Sequence, residues 1–116
     1  MFSKPLVSAS LQPIVLTILS RGEAYGYEIM QEALDLSDGQ LKWTAGTLYP
    51  LMHRLETKGL VTSIWRPSEE GPRRKYYRIT AEGHKALQAD KQEWIDLHAI
   101  LIRLWGPDLK PGLQLA

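Results

Sequence analysis

The chain of 116 residues contains no cysteine, a single phenylalanine and no run of apolar residues long enough to cross a bilayer. Without cysteine, disulfides and thiolate chemistry are excluded, and the composition suits a reducing compartment. A membrane span needs ~18 or more consecutive apolar residues, and none is present. The opening "MFSKPLVSAS" has one lysine, then a proline, and no apolar run of the signal-peptide kind. The expected location is therefore cytoplasmic. His53, His84 and His98 are scattered, with no i,i+4 pair, so no metal site is expected. There is no glycine-rich phosphate loop, nucleophile elbow or acid–base pair. Glu69 and Glu70 are adjacent, but neighbouring carboxylates in a turn lack the fixed geometry that proton transfer needs. An enzyme is not expected, nor is a cofactor.

Net charge is also scarce, at +1 overall, but its distribution is uneven. Residues 1–39 carry two cations against five carboxylates, whereas residues 40–80 carry eight against three. A basic middle on a near-neutral chain is a local footprint for an anionic partner. The densest part is "GPRRKYYRIT", residues 71–80, where Arg73, Arg74 and Lys75 follow a turn signal and run into strand-forming residues.

The hydrophobic pattern orders the elements. "SLQPIVLTILSRG" places Leu11, Ile14, Val15, Ile18 and Leu19 at helical spacing, with Ser8 or Ser10 as cap and Gly22 as stop. "YGYEIMQEALDLSDG" puts Ile29, Met30, Ala33 and Leu36 on one face, and Asp38-Gly39 marks the turn after it. "QLKW" reads as a short extended piece. "TAGTLYPLMHRLETKG" is a third helix capped by Thr44, with Leu48, Leu51, Met52 and Leu55 buried and Gly59 as stop. Pro50 removes one of its backbone bonds. "LVTSIW" and "KYYRIT" read as an antiparallel hairpin, with "RPSEEGPRR" as a long tip. Thr80 caps a last helix running to about Leu104, ended by Gly106-Pro107. The fold class is mainly α with a small β-hairpin: a winged helix-turn-helix over 8–80, a long helix over 81–105 and a loose tail over 106–116.

With the third helix's apolar stripe turned inward, Gly46, Tyr49, Pro50 and His53 face outward, flanked by Thr47 and Arg54. Tyrosine and threonine can contact bases in a major groove, and arginine can hold phosphate or guanine. Arg73, Arg74 and Lys75 follow on the wing, with Lys42 ahead of the helix as a further backbone contact. If Arg54, Arg73, Arg74 and Lys75 of two subunits met phosphates, about eight charges would be neutralised, giving a slope of log K on log salt of roughly −7. On the last helix Leu87, Trp94 and Leu101 recur at sevens, with Lys91, His98 and Trp105 alongside and Leu97 and Ile102 widening the stripe. A second copy of the chain is the economical cover for it, and a partner helix from another protein is the alternative. The expected seam is Leu87, Trp94, Leu97, His98, Leu101 and Trp105. Trp94, with His98 one turn on, either packs in that seam or stacks on a planar aromatic ligand. Three functions compete: a DNA-binding regulator, a winged-helix protein–protein interaction module without DNA binding, and a ligand carrier. The basic hairpin and the exposed Tyr49 favour double-stranded DNA.

"YGYEI", "GTLYPLMHRLETKGLV" and "GPRRKYYRITAEG" resemble the PadR family of bacterial transcriptional regulators, over residues from about 11 to 105. The single helix after the wing is similar to the family's compact subgroup. The resemblance implies a homodimeric DNA-binding repressor seamed by its C-terminal helices. The groove helix would be Thr47 to Arg54 and the wing Arg73 to Tyr76. Some members respond to phenolic acids or flat aromatic compounds, although no residue here implies a particular ligand.

Overall fold

The structure is a computed structural model that describes residues 2–108. Helix α1 spans Lys4–Ser20, a two-residue strand β1 Ala24–Tyr25, α2 Gly26–Leu36, α3 Ala45–Thr57, β2 Val61–Ser68, β3 Gly71–Ile79, α4 Ala81–Trp105 and a 3₁₀ turn Gly106–Asp108. The sheet is antiparallel in the order β1-β3-β2. This is the mainly helical winged-helix architecture expected from the pattern.

Four local expectations are corrected. First, α1 starts earlier than Ser8 or Ser10, with Ser3 as N-cap. Pro5 sits in its first turn, where a missing N–H costs nothing. Second, "QLKW" forms no strand. The third strand is Ala24–Tyr25, which pairs with Tyr77 and Tyr76 of β3. The Leu41 N–H is taken by the Ser37 hydroxyl at 2.8 Å and turns the chain toward α3 instead. Third, the hairpin tip is short. The strands run on until only Glu69 and Glu70 remain as the turn, so Arg73, Arg74 and Lys75 belong to β3 and the tip itself is acidic. Pro67 is tolerated because β2 is an edge strand and its register slips between Arg66 and Ser68. Fourth, Leu36 is exposed rather than inward, while Trp43 is buried.

The core gathers Leu16 and Leu19 of α1, Ile29 and Ala33 of α2, Leu48, Met52 and Leu55 of α3, Val61, Tyr77 and Leu87. The α3 stripe is the one its spacing predicts. The Thr44 hydroxyl accepts the Thr47 N–H at 3.3 Å, and a Schellman turn closes the helix: Gly59, at φ 75°, donates to Glu56 and Leu60 donates to Leu55. The chain leaves that turn directly into β2, so α3 fixes where the hairpin begins. Thr80 caps α4 by accepting the Gly83 N–H at 2.9 Å, and its own hydroxyl donates to Gly59 O at 2.7 Å. The two caps tie α3, the hairpin and α4 at one junction. Beyond it, α4 is held to α1 by Gln12 donating to Asp90 at 2.9 Å, and every residue from Lys91 to Ile100 is exposed. The expected loose tail begins with the 3₁₀ turn at Gly106–Asp108, and its residues 109–116 lie outside the described residues. Among the described residues no helix is long and apolar enough to cross a membrane.

Candidate nucleic-acid interface

α3 and the hairpin enclose a cleft of about 450 Å³ lined by Tyr49 and His53 from the helix, Trp65 from β2 and Arg73, Arg74 and Lys75 from β3, with Tyr25 and Tyr77 closing it. Alternation along β3 explains much of this. Arg73, Lys75 and Tyr77 share the face turned toward α3, where Tyr77 is buried in the core. Arg74 reaches the cleft from the opposite face by stacking on the Tyr25 ring at 4.4 Å.

Lys75 is not an unengaged cation. Its Nζ pairs with Glu56 Oε1 at 3.2 Å and lies 5.5 Å from the Tyr77 ring. Glu56 also accepts a hydrogen bond from the Ser63 hydroxyl. That bond, joined by Lys75 and opposed by partial burial, holds the Glu56 carboxyl below the usual range. Tyr76 lies on the sheet's outer face, 5.3 Å edge-on from Tyr25 with Arg66 over it at 5.4 Å, and does not line the cleft. Glu23 takes both Arg66, at 2.8 Å, and Arg78, at 2.9 Å. Neither Glu23 nor Glu56 stood out in the sequence, because their partners lie far along the chain. The only available signal was a carboxylate next to a region of excess cations.

The remaining predicted residues spread around this cleft. Thr47 is half-buried, its hydroxyl accepting from Thr44 at 3.3 Å, so it serves the helix cap. Arg54 is exposed on α3 outside the cleft. Lys42 is exposed but lines a separate hollow with Phe2, Val7 and Trp43. The Tyr49 phenol lies against Gly26 at the start of α2, so closely that a Cβ at Gly26 would strike it.

On α4, Leu87 is 1% exposed and belongs to the core of its own chain, which removes it from any seam. Its heptad position is real, but it packs into the core of its own chain, where α4 lies against α1. Trp94 is 37% exposed, and Leu97, His98 and Trp105 are exposed, while Leu101 is half-buried. Ile95, Ile100 and Leu104 add exposed apolar surface that the seven-residue spacing did not single out. Trp94 and Ile95 wall an apolar groove of about 470 Å³ against Pro13, Ile14, Leu36 and Leu41, and His98 is not among its lining residues.

Tyr77 supplies a pH prediction. Burial, with smaller contributions from Glu56 and Tyr49, pushes its phenol from 10.0 up to about 12. A raised folded value means the neutral form is favoured by folding. The associated stability is intact below the unfolded value of 10.0 and is lost as pH climbs toward about 12. Thermal melts at stepped alkaline pH should show Tyr77→Phe losing less stability over that window than the parent. Parallel alkaline profiles would refute the assignment.

Residues 15–89 match the family described as the transcriptional regulator PadR-like family. A solved transcriptional regulator from Clostridium thermocellum superposes with a TM-score of 0.82 at 30% identity, covering 89% of this chain and 97% of that one. A PadR family transcriptional regulator from Eggerthella lenta gives 0.75 at 38% identity, covering 86% and 85%. A transcriptional regulator of Mycobacterium tuberculosis is 36% identical over 84 residues, 72% of this chain and 75% of its own.

Proposed function

The chain belongs to the PadR-like family of transcriptional regulators, which are not enzymes, and on that premise we propose that it binds a pseudo-palindromic DNA operator as a homodimer and represses transcription. The observation that carries the reading is the cleft between α3 and the hairpin, where the exposed Tyr49 and His53 stand opposite Arg73 and Arg74. An exposed helix face beside a cationic strand is what a groove helix with a backbone-tracking wing requires. Arg54 and Lys42 add cations to either side. Because Lys75 is paired to Glu56, the phosphate contacts of two subunits reduce to Arg54, Arg73 and Arg74, about six charges and a salt slope of roughly −5.

The homodimer is supported by the exposed apolar residues of α4, which include Trp94, Leu97, Ile100 and Trp105. An uncovered surface of this kind is a liability on a monomer, and a second copy of the same helix covers it. A flat aromatic molecule stacked on Trp94 is the release signal that suits the adjoining groove, whose volume lies within the range of ligand pockets. The place of action is the cytoplasm, with the DNA.

The test uses the full chain and the DNA upstream of its own gene and its neighbour. A gel shift should retard one duplex selectively, with affinity falling steeply with salt. Footprinting should protect two half-sites about one helical turn apart, or a multiple of it. Salt-insensitive association with any duplex, or none at all, would leave the protein–protein interaction module as the surviving reading.

A further inference from the structure

Five cations lie on β2 and β3: Arg66, Arg73, Arg74, Lys75 and Arg78. Three are held by carboxylates of the same chain, Arg66 and Arg78 by Glu23 and Lys75 by Glu56. Of these five, Arg73 and Arg74 have no ion-pair partner among the described residues. Glu56 differs from Glu23 in its position. It is on α3, one turn beyond His53, and it spends its two oxygens on different strands: Ser63 of β2 donates to Oε2, and Lys75 of β3 donates to Oε1. Ser63 faces Tyr77 and Lys75 faces Trp65 in the register, so one carboxylate joins both strands of the hairpin to the groove helix.

We infer that Glu56 sets the selectivity of the DNA interface, by fixing the hairpin's angle to α3 and by withholding the charge of Lys75 from phosphates. The inference rests on the DNA-binding reading above. Nonspecific binding depends on how many cations reach phosphate, whatever the sequence. Specific binding depends in addition on the helix and the wing meeting the duplex together. A carboxylate that spends a wing cation on geometry lowers the first and favours the second. Lys75 remains about one-third exposed in its side chain, near enough to solvent to be recruited once released. Glu56 acts through Lys75 and Ser63, so it is a positioning residue.

The test compares the full-length parent with Glu56→Gln, which keeps the shape and the ability to accept from Ser63 but removes the charge. Each is titrated against a duplex selected in vitro from a randomised pool and against its shuffled counterpart, over a range of salt. Glu56→Gln should bind the shuffled duplex about tenfold more tightly at low salt, and its slope should steepen by about 2 for a dimer, one added phosphate per subunit. The preference for the selected duplex should shrink. Adding Lys75→Met should return the slope to the parent's value. If Glu56→Gln is folded and leaves both slope and preference unchanged, the inference is wrong. If it weakens both duplexes equally and lowers the melting temperature, Glu56 is only a structural ion-pair partner and the inference is equally wrong. Failure of the parent to bind either duplex is a separate result, visible before any variant is made, and it removes the DNA-binding reading together with this inference.

Discussion

Gly83→Ala should cost about 3 kcal/mol or more and lower the melting temperature by roughly 10–20 °C. A Cβ at Gly83 would fall within the contact radius of the Leu60 carbonyl oxygen and 2.7 Å from Ile79 Cγ1. The first of these is backbone and cannot rotate away. Leu60 O also accepts the Thr80 N–H at 3.0 Å, so the first turn of α4 cannot back off without breaking the bond that anchors its N-cap residue. Domain stabilities are only about 5–15 kcal/mol, so the loss is a large fraction of the total. Gly46→Ala is the control. Its nearest neighbour would be the Thr44 hydroxyl at 3.7 Å, and alanine is the better helix former by up to about 1 kcal/mol, so that substitution should be neutral or stabilising. Equal melting temperatures for the two variants would refute the close-approach argument.

Arg73→Ala combined with Arg74→Ala should weaken DNA binding on the order of a thousandfold at about 0.1 M salt and flatten the slope from roughly −5 to roughly −2. These are the two hairpin cations without a carboxylate partner among the described residues, and in a dimer they account for four of the six expected phosphate contacts. Selected and shuffled duplexes should lose affinity alike, because phosphate contacts carry no sequence information. Arg73 is exposed and serves no packing role that its loss would disturb. Arg74 contributes its stack on Tyr25, so a small decrease in stability is expected alongside. Binding with an unchanged slope would refute the wing assignment.

The parts of this fold that could be read in advance are those set by neighbours in sequence. Thr44 and Thr80 signal helix starts through the chemistry of their hydroxyls. Leu48, Leu51, Met52 and Leu55 mark the buried side of α3 by spacing alone. What spacing could not supply was the identity of the covering body. Leu87 and Trp94 stand seven residues apart on α4, yet the first is sealed within its own chain and the second is not. β1 is two residues long and has no period to detect. Its existence depends on Tyr76 and Tyr77, some fifty positions downstream. The hairpin tip is shorter than local composition predicts, because Pro67, Ser68, Gly71 and Pro72 all favour turns and cross-strand pairing overrides them. The candidate site divides in the same way. Tyr49, His53, Arg73 and Arg74 were legible as residues of the α3 outer side and the hairpin, and they line one cleft. The engagement of Lys75 depends on a carboxylate 19 residues earlier, and that of Arg78 on one 55 residues earlier.

The attachment of α4 has a mechanical consequence. The helix is fixed to the body through residues 81–90, by Gly83, Leu87 and the Gln12–Asp90 bond, and beyond them it faces the body across the open groove that Trp94 and Ile95 wall. At 1.5 Å per residue, the stretch from Lys91 to Trp105 is a lever about 22 Å long. A tilt of about 10° at its fulcrum near Asp90 would carry the far end by about 4 Å, close to the rise of one base pair. If two chains are joined along these levers, the separation of their groove helices is governed by one angle rather than by the shape of either body, and small changes at the fulcrum are read out as spacing along the DNA.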